Sequence, residues 1–184
     1  MPGKADFVSS ILPREHILTT YDDANERFLL ICLFIDHCLG NHGKVVIVSD
    51  DAVSLGKRLY SRREFRSNLS QKTIEIFTWR QVTKTGSFSS FYRQLLHGNK
   101  AMNERLCFIG DPSKGSLVRF EVQEEIERVL DERRNELQPT ILCLYLRNRL
   151  GSLEARNLLT LYKVHDAIHL SESTLRREPS GSCR

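Results

Sequence analysis

Three stretches of this chain are apolar without interruption: Lys44–Val48 (KVVIV), Leu106–Ile109 (LCFI) and Thr140–Leu146 (TILCLYL). A strand with one wet face alternates apolar and polar residues, whereas a strand covered on both faces does not, so these runs call for a parallel sheet sandwiched between helices. Two weaker runs, Thr73–Thr78 (TIEIFT) and Ala167–Leu170, extend the set to five strands. Between them, apolar residues recur at three-and-four spacing. Ala24, Phe28, Ile31, Cys32, Ile35, Cys38 and Leu39 mark a first helix behind Asp22 and Asp23, which suit an N-cap, and Gly40 ends it. Asp50 and Asp51 start a second helix through Tyr60, and Ser87 caps a third carrying Phe88, Phe91, Tyr92, Leu95 and Leu96. The longest pattern runs from Val118 through Val122, Ile126, Val129 and Leu130 to Leu137, with Glu121, Glu124 and Glu125 in its early turns, where the helix dipole favours acids. Pro139 stops it, and Ser152 caps a fifth helix around Ala155–Tyr162. Strands separated by helices imply right-handed crossovers and one three-layer α/β domain: a mainly parallel sheet of about five strands with helices on both faces. The expected division is a polar lead over 1–14, the domain over 15–170, and a disordered tail over 171–184, rich in Ser, Arg and Glu.

Such a sheet is a common frame for nucleotide binding, and that chemistry has a sequence requirement. A phosphate-binding loop reads Gly, four residues, then Gly-Lys-Ser/Thr between a strand and a helix, so that backbone N–H groups cradle phosphate and the hydroxyl holds Mg²⁺. Gly110-Asp111-Pro112-Ser113-Lys114-Gly115-Ser116 comes nearest, but places Ser116 where the lysine belongs. Gly40-Asn41-His42-Gly43-Lys44 leads into a strand, so its N–H groups cannot converge on an anion. ATP hydrolysis is therefore not expected, and the chain is read as not an enzyme, with no catalytic residue assigned.

Other chemistries are also weakly supported. Ser49, Asp50 and Asp51 follow KVVIV as a metal-binding acid follows the strand in many nucleotide hydrolases, yet helix capping accounts for them. The six histidines form no HExxH or similar spacing, so no metal ligand is assigned and a metal site requires tertiary convergence. Five cysteines without a CxxC pair, four of them in apolar patterns, read as reduced core thiols. No serine lies in a Gly-x-Ser-x-Gly elbow. The net charge of +4 is mild, and its densest cluster, Lys57, Arg58, Arg62, Arg63 and Arg66, follows helical spacing around Glu64, as a solvated face does; nucleic acid is not an expected partner. No apolar stretch approaches the roughly 20 residues of a membrane span, and a cytosolic location is expected.

In open parallel sheets, ligands bind where the carboxyl ends of strands meet helix N-termini. Ser49–Asp51, Trp79 with Arg80, Gly110–Lys114, and Arg147 with Asn148 fall there.

A resemblance sharpens this. His16-Ile17-Leu18-Thr19-Thr20-Tyr21, the glycine pair at Gly40 and Gly43, the strand ending in Asp50-Asp51, Gly86-Ser87-Phe88, Gly110-Asp111, Phe120-Glu121, Thr140-Ile141-Leu142-Cys143-Leu144-Tyr145 and His165 occur in the order and spacing of the methanogen/methylotroph sensory (MEDS) domain, from about Glu15 to Leu170. That family is RecA/KaiC-like without an intact phosphate loop. The chain departs from it at Leu18, where the family has cysteine, near Lys114, where it has tryptophan, and at Leu146, where an acid commonly follows Cys-x-Tyr. The resemblance implies a noncatalytic sensory domain that binds a small organic or metabolite ligand and relays a conformational change to a signalling protein or through self-association. No cofactor is assigned. It implies a ligand site of His16, Tyr21, Asp111, Glu121, Cys143, Tyr145 and His165 at the carboxyl end of the sheet. Two other readings stand beside it: a degenerate RecA/KaiC-like regulatory nucleotide binder using Gly110–Ser116 with Asp50 and Asp51, and a ligand-independent adaptor.

Overall fold

The structure is a computed structural model that describes residues 11–41, 43–84, 87–102, 105–112, 126–132, 139–151, 153–170 and 173–176. Its strands are β1 (His16–Tyr21), β2 (Gly43–Ser49), β3 (Ile74–Phe77), β4 (Arg105–Asp111), β5 (Thr140–Leu146), β6 (Ala167–Leu170) and β7 (Ser173–Arg176). Its helices are α1 (Ala24–Gly40), α2 (Ala52–Ser61), α3 (Arg63–Ser70), α4 (Trp79–Lys84), α5 (Phe88–Met102), α6 (126–132), α7 (Arg147–Gly151) and α8 (Ala155–Val164). The strands form one sheet in the order β3-β2-β4-β5-β1-β6-β7. Every pairing from β3 to β6 is parallel, and β7 alone runs antiparallel, against β6.

Two apolar layers cover the sheet. On one face, alternate residues Val45, Ile47, Ile109, Leu142 and Leu144 pack against α1, α2 and α3 through Phe34, Ile35, Leu59 and Phe65. On the other, Val46, Val48, Phe108, Ile141 and Cys143 meet α4, α5, α6 and α8 through Trp79, Tyr92, Leu130 and Leu161. Both layers are required to bury strands this apolar, which is why the uninterrupted runs predicted the parallel sheet.

Two differences from the sequence reading matter. His16–Tyr21, read as part of an opening motif and not as a strand, is β1, flanked by β5 and β6 with every residue buried. HILTTY lacks the apolar uniformity of the other inner strands, and part of its polar content finds partners inside: Thr19 Oγ1 donates to the His169 carbonyl at 3.3 Å and the His16 amide donates to Asp166 Oδ2 at 3.0 Å, while Thr20 Oγ1 has none among the described residues. Ser173–Arg176, within the tail expected to be disordered, adds the edge strand β7 by pairing its backbone with β6. The short helices α4 and α7 were not anticipated either, each being too brief to display helical periodicity, whereas α3 falls where the basic cluster around Glu64 showed helical spacing.

The start of β2 is close-packed. A Cβ on Gly43 would lie 3.0 Å from the Cys38 carbonyl oxygen, 3.2 Å from Cys107 Sγ and 3.3 Å from the Arg105 carbonyl oxygen. Gly43→Ala is expected to lower stability by about 1–3 kcal/mol, seen as a lower urea midpoint with an unchanged slope. An unmoved midpoint would mean that β2 can shift without cost.

Candidate functional site

The face beneath α6 is apolar except at one place. His16 opens β1, Cys143 and Tyr145 stand two residues apart on β5, and the register places Leu18 beside Cys143 and Thr20 beside Tyr145, so all of these side chains project from the same side of the sheet. His165 joins them from the residue following α8, and Glu127 from α6. His16, Glu127, Cys143, Tyr145 and His165 are all at most 4% exposed.

Glu127 is the hub. Its Oε1 accepts from Tyr145 Oη at 2.6 Å and its Oε2 from Cys143 Sγ at 3.2 Å. His16 Nε2 lies 3.1 Å and His165 Nε2 3.4 Å from the same Oε2. His16 Nε2 is also 3.3 Å from Cys143 Sγ, and the imidazole rings stand 4.1 Å apart. Burial opposes ionisation of Glu127, but the nearby His165 and His16 outweigh it and hold its carboxyl well below the usual carboxylate range. Burial, then His165, pushes His16 down, while burial and the Glu127 charge push the Cys143 thiol well up. A cavity of about 10 Å³, space for one water-sized centre, adjoins Glu127, Cys143 and Tyr145 and reaches Gly110 and Pro112 at the end of β4.

Of the seven residues expected to converge, four do so: His16, Cys143, Tyr145 and His165. The other three need correction or lie apart. Tyr21 projects to the opposite face, because it is an odd step from His16 along a strand of period two. Asp111 ends β4 on that face, in a different polar group. Glu121 lies outside the described residues, and the acid present in the cluster is Glu127. The site was also expected at the carboxyl end of the sheet, but His16 is the first residue of β1, so the cluster sits under α6 instead of at the strand ends. Sequence reasoning missed Glu127, although a signal was there: it follows Ile126 and precedes Leu130 by three, on the shoulder of the apolar stripe.

The second polar group does lie at strand ends. Arg27 of α1 donates from Nε to both oxygens of Asp111 at 3.0 Å and from Nη2 to Ser49 Oγ at 3.0 Å, while Ser49 Oγ donates to Asp111 Oδ2 at 2.6 Å. Arg27 Nη1 also lies 3.7 Å from Asp51 Oδ2, and Trp79 Nε1 donates to the Asp111 carbonyl at 3.2 Å. Burial works against the Arg27 charge, and its bonds to Asp111 more than offset this, keeping the guanidinium charged. Nearby, the β1–α1 turn is only Asp22-Asp23. Asp23 Oδ1 accepts from the amides of Asn25 and Glu26 at 2.7 and 2.9 Å, and Glu26 Oε2 accepts from the Asp22 amide at 2.7 Å. The chain's own carboxylates thus occupy N–H groups that could otherwise receive an anion.

No family model and no curated protein matches this chain. Its fold is nevertheless similar to solved structures. The ATPase domain of G40P matches with a TM-score of 0.57 and 15% identity over 92% of this chain and 74% of that one. A DnaB-like replicative helicase, solved with attention to its interactions with primase, matches at 0.61 and 16% over 92% of this chain, which spans only 50% of the helicase. A KaiC-like protein from the hyperthermophilic archaeon Pyrococcus horikoshii matches at 0.58 and 15%, over 87% of this chain and 72% of that one. The fold is RecA-like, as expected. The same likeness overturns the expectation that the chain is not an enzyme: ATPase and helicase domains are built on this frame, so a missing loop motif is no ground for calling the chain inactive. Among the described residues, no helix is long and apolar enough to cross a membrane.

Proposed function

We propose that this RecA-like domain is a sensory module that recognises a ligand of few atoms at the His16, Glu127, Cys143, Tyr145 and His165 cluster and relays its occupancy to a partner. One observation carries the reading: five polar side chains from four separate segments meet inside an otherwise apolar layer, beside a cavity of about 10 Å³. Packing alone favours apolar residues at such positions, since each buried polar group costs about 1–3 kcal/mol unless satisfied. The resemblance to MEDS domains supports a sensory role and a small hydrocarbon derivative as one ligand class. The cavity supports smallness independently, because drug-sized ligands need about 300–1,000 Å³. The placement of Glu127 on α6 and of His165 at the end of α8 supports a relay, since a ligand that alters the cluster would pull on two helices.

The nucleotide-binding reading has its own observation, the Arg27–Asp111–Ser49 group at the strand ends, and the same experiment separates the two. Thermal unfolding of the full chain is followed with one- and two-carbon halides and alcohols, with divalent metals, and with ATP and Mg²⁺. A ligand at 100 times its Kd stabilises the folded state by about 2.7 kcal/mol. Stabilisation by a small ligand that Tyr145→Phe weakens and Asp111→Asn leaves intact is the expected result. Stabilisation by ATP alone, sensitive to Asp111→Asn, would replace the sensory reading with the nucleotide one.

A further inference from the structure

The cluster contains a buried ring nitrogen that its hydrogen bonds leave without a partner. His165 Nδ1 lies 2.7 Å from the Leu161 carbonyl, which can only accept, so Nδ1 carries the proton. Its Nε2 is buried and aimed at the Glu127 carboxylate 3.4 Å away, and it has no hydrogen-bond partner among the described residues. His16 Nε2 faces that carboxylate and the Cys143 sulfur from the other side. Two imidazole nitrogens, a carboxylate oxygen and a sulfur therefore look inward, all within 4.8 Å of one another.

From this geometry we infer that the cluster is a four-ligand site for a borderline-soft divalent cation, zinc foremost, held by His16 Nε2, His165 Nε2, Glu127 Oε2 and Cys143 Sγ. The inference rests on the cluster's being a binding site, as proposed above, and adds the chemical class of what it binds.

Three features carry it. The first is spacing. Ligands at about 2.0–2.3 Å from a tetrahedral centre lie about 3.3–3.6 Å from one another; four of the six separations here are 3.1, 3.4, 3.3 and 3.2 Å, at or just under that range, and the remaining two are within 4.8 Å. The second is the outer shell. Ligating histidines characteristically donate their other N–H to a backbone carbonyl, as His165 does to Leu161, and ligating carboxylates are themselves hydrogen-bonded, as Glu127 Oε1 is by Tyr145 Oη. The third is charge. Two neutral imidazoles, one carboxylate and one thiolate neutralise a dication, leaving no net charge in a fully buried place. Nitrogen and sulfur donors select zinc or a similar transition metal over Mg²⁺ or Ca²⁺, which prefer oxygen. On binding, the thiol S–H breaks, an S–metal bond forms and the proton passes to solvent.

The test uses the full chain stripped with a chelator and titrated with Zn²⁺ against a chromophoric competitor. One equivalent is expected to bind with Kd at or below the order of 1 μM, weakened more than about 100-fold by Cys143→Ser and by His165→Ala. Tyr145→Phe, in the outer shell, is expected to cost about 10–100-fold. The distant His97→Ala is expected to bind as the parent does. Co²⁺ in place of Zn²⁺ should give intense tetrahedral visible bands and a thiolate charge-transfer band that Cys143→Ser abolishes. That optical signature is read on Tyr145→Phe as well, so the test survives if a ligand variant misfolds. A weak octahedral Co²⁺ spectrum, or Zn²⁺ affinity indifferent to both Cys143→Ser and Tyr145→Phe, overturns the inference and leaves a buried His–Glu pair. If Zn²⁺ fails while a small organic compound stabilises the chain through Tyr145, the metal assignment falls and the sensory reading stands. If neither acts there, both fall.

Discussion

Replacing Arg27 with methionine is expected to lower the free energy of unfolding by about 3–5 kcal/mol, among the larger effects a single substitution could have in this domain. The reason is the carboxylate left behind. Asp111 is fully buried at the end of β4, and burial already pushes its carboxyl up, with Arg27 and Ser49 pulling it back. Methionine fills the volume of the arginine stem but supplies none of its bonds to Asp111 and Ser49, so the acid must either keep an uncompensated charge or take up a proton. The double variant Arg27→Met/Asp111→Leu removes both charges and is expected to recover much of the loss, since a buried ion pair is commonly no more stabilising than an apolar pair of similar size. Urea unfolding of the parent, both single variants and the double variant measures this as a coupling energy. If Arg27→Met costs under about 1 kcal/mol, or if the double variant is as unstable as the worse single one, the group is not the coupled buried pair described here.

Glu127→Leu is expected to cost about 3–5 kcal/mol in the presence of chelator, more than either Tyr145→Phe or Cys143→Ala. Glu127 accepts from Tyr145 Oη and Cys143 Sγ and faces both imidazoles, so its loss leaves several buried polar groups without their acceptor at about 1–3 kcal/mol each. Tyr145→Phe removes one donor while His16 and Cys143 continue to serve the carboxylate, so about 1–2 kcal/mol is expected. The ranking is the decisive quantity. Tyr145→Phe matching Glu127→Leu would show that the phenol, not the carboxylate, organises the cluster. Excess Zn²⁺ is expected to raise the unfolding midpoint of the parent but not of Glu127→Leu, linking this stability measurement to metal affinity.

The layered architecture was legible because the physics that creates it is local. Runs such as KVVIV and TILCLYL cannot be left half wet, and the stripe from Phe28 to Cys38 has one way to meet them. Asp23 capped α1 as its type and position predicted. β1 was not legible for the complementary reason: His16 and Thr19 break the apolar run, and their burial depends on Asp166, Glu127 and His169, up to 150 positions away in the chain, supplying partners. A strand whose burial depends on tertiary hydrogen bonds has no sequence periodicity to announce it.

The site divides along the same line. Period-two alternation by itself put Cys143 and Tyr145 on one face of β5, and the resemblance marked His16 and His165. The same alternation, once β1 is recognised as a strand, separates Tyr21 from His16. Which acid completes the group was decided only in three dimensions, because one glutamate is chemically like another and a helix rotates by about 100° per residue, so the seating of α6 decides that Glu127 faces the sheet. A small change in how α6 lies on the sheet would present a different carboxylate. The metal-ligand set likewise has no spacing motif, its four donors being drawn from β1, α6, β5 and the end of α8. What the sequence determined by itself was burial, through the cost of wetting apolar residues. The meeting of two imidazoles, a carboxylate and a thiol required the sheet order β5-β1-β6 and the seating of α6, because convergence of distant polar groups is a property of packing and not of any segment.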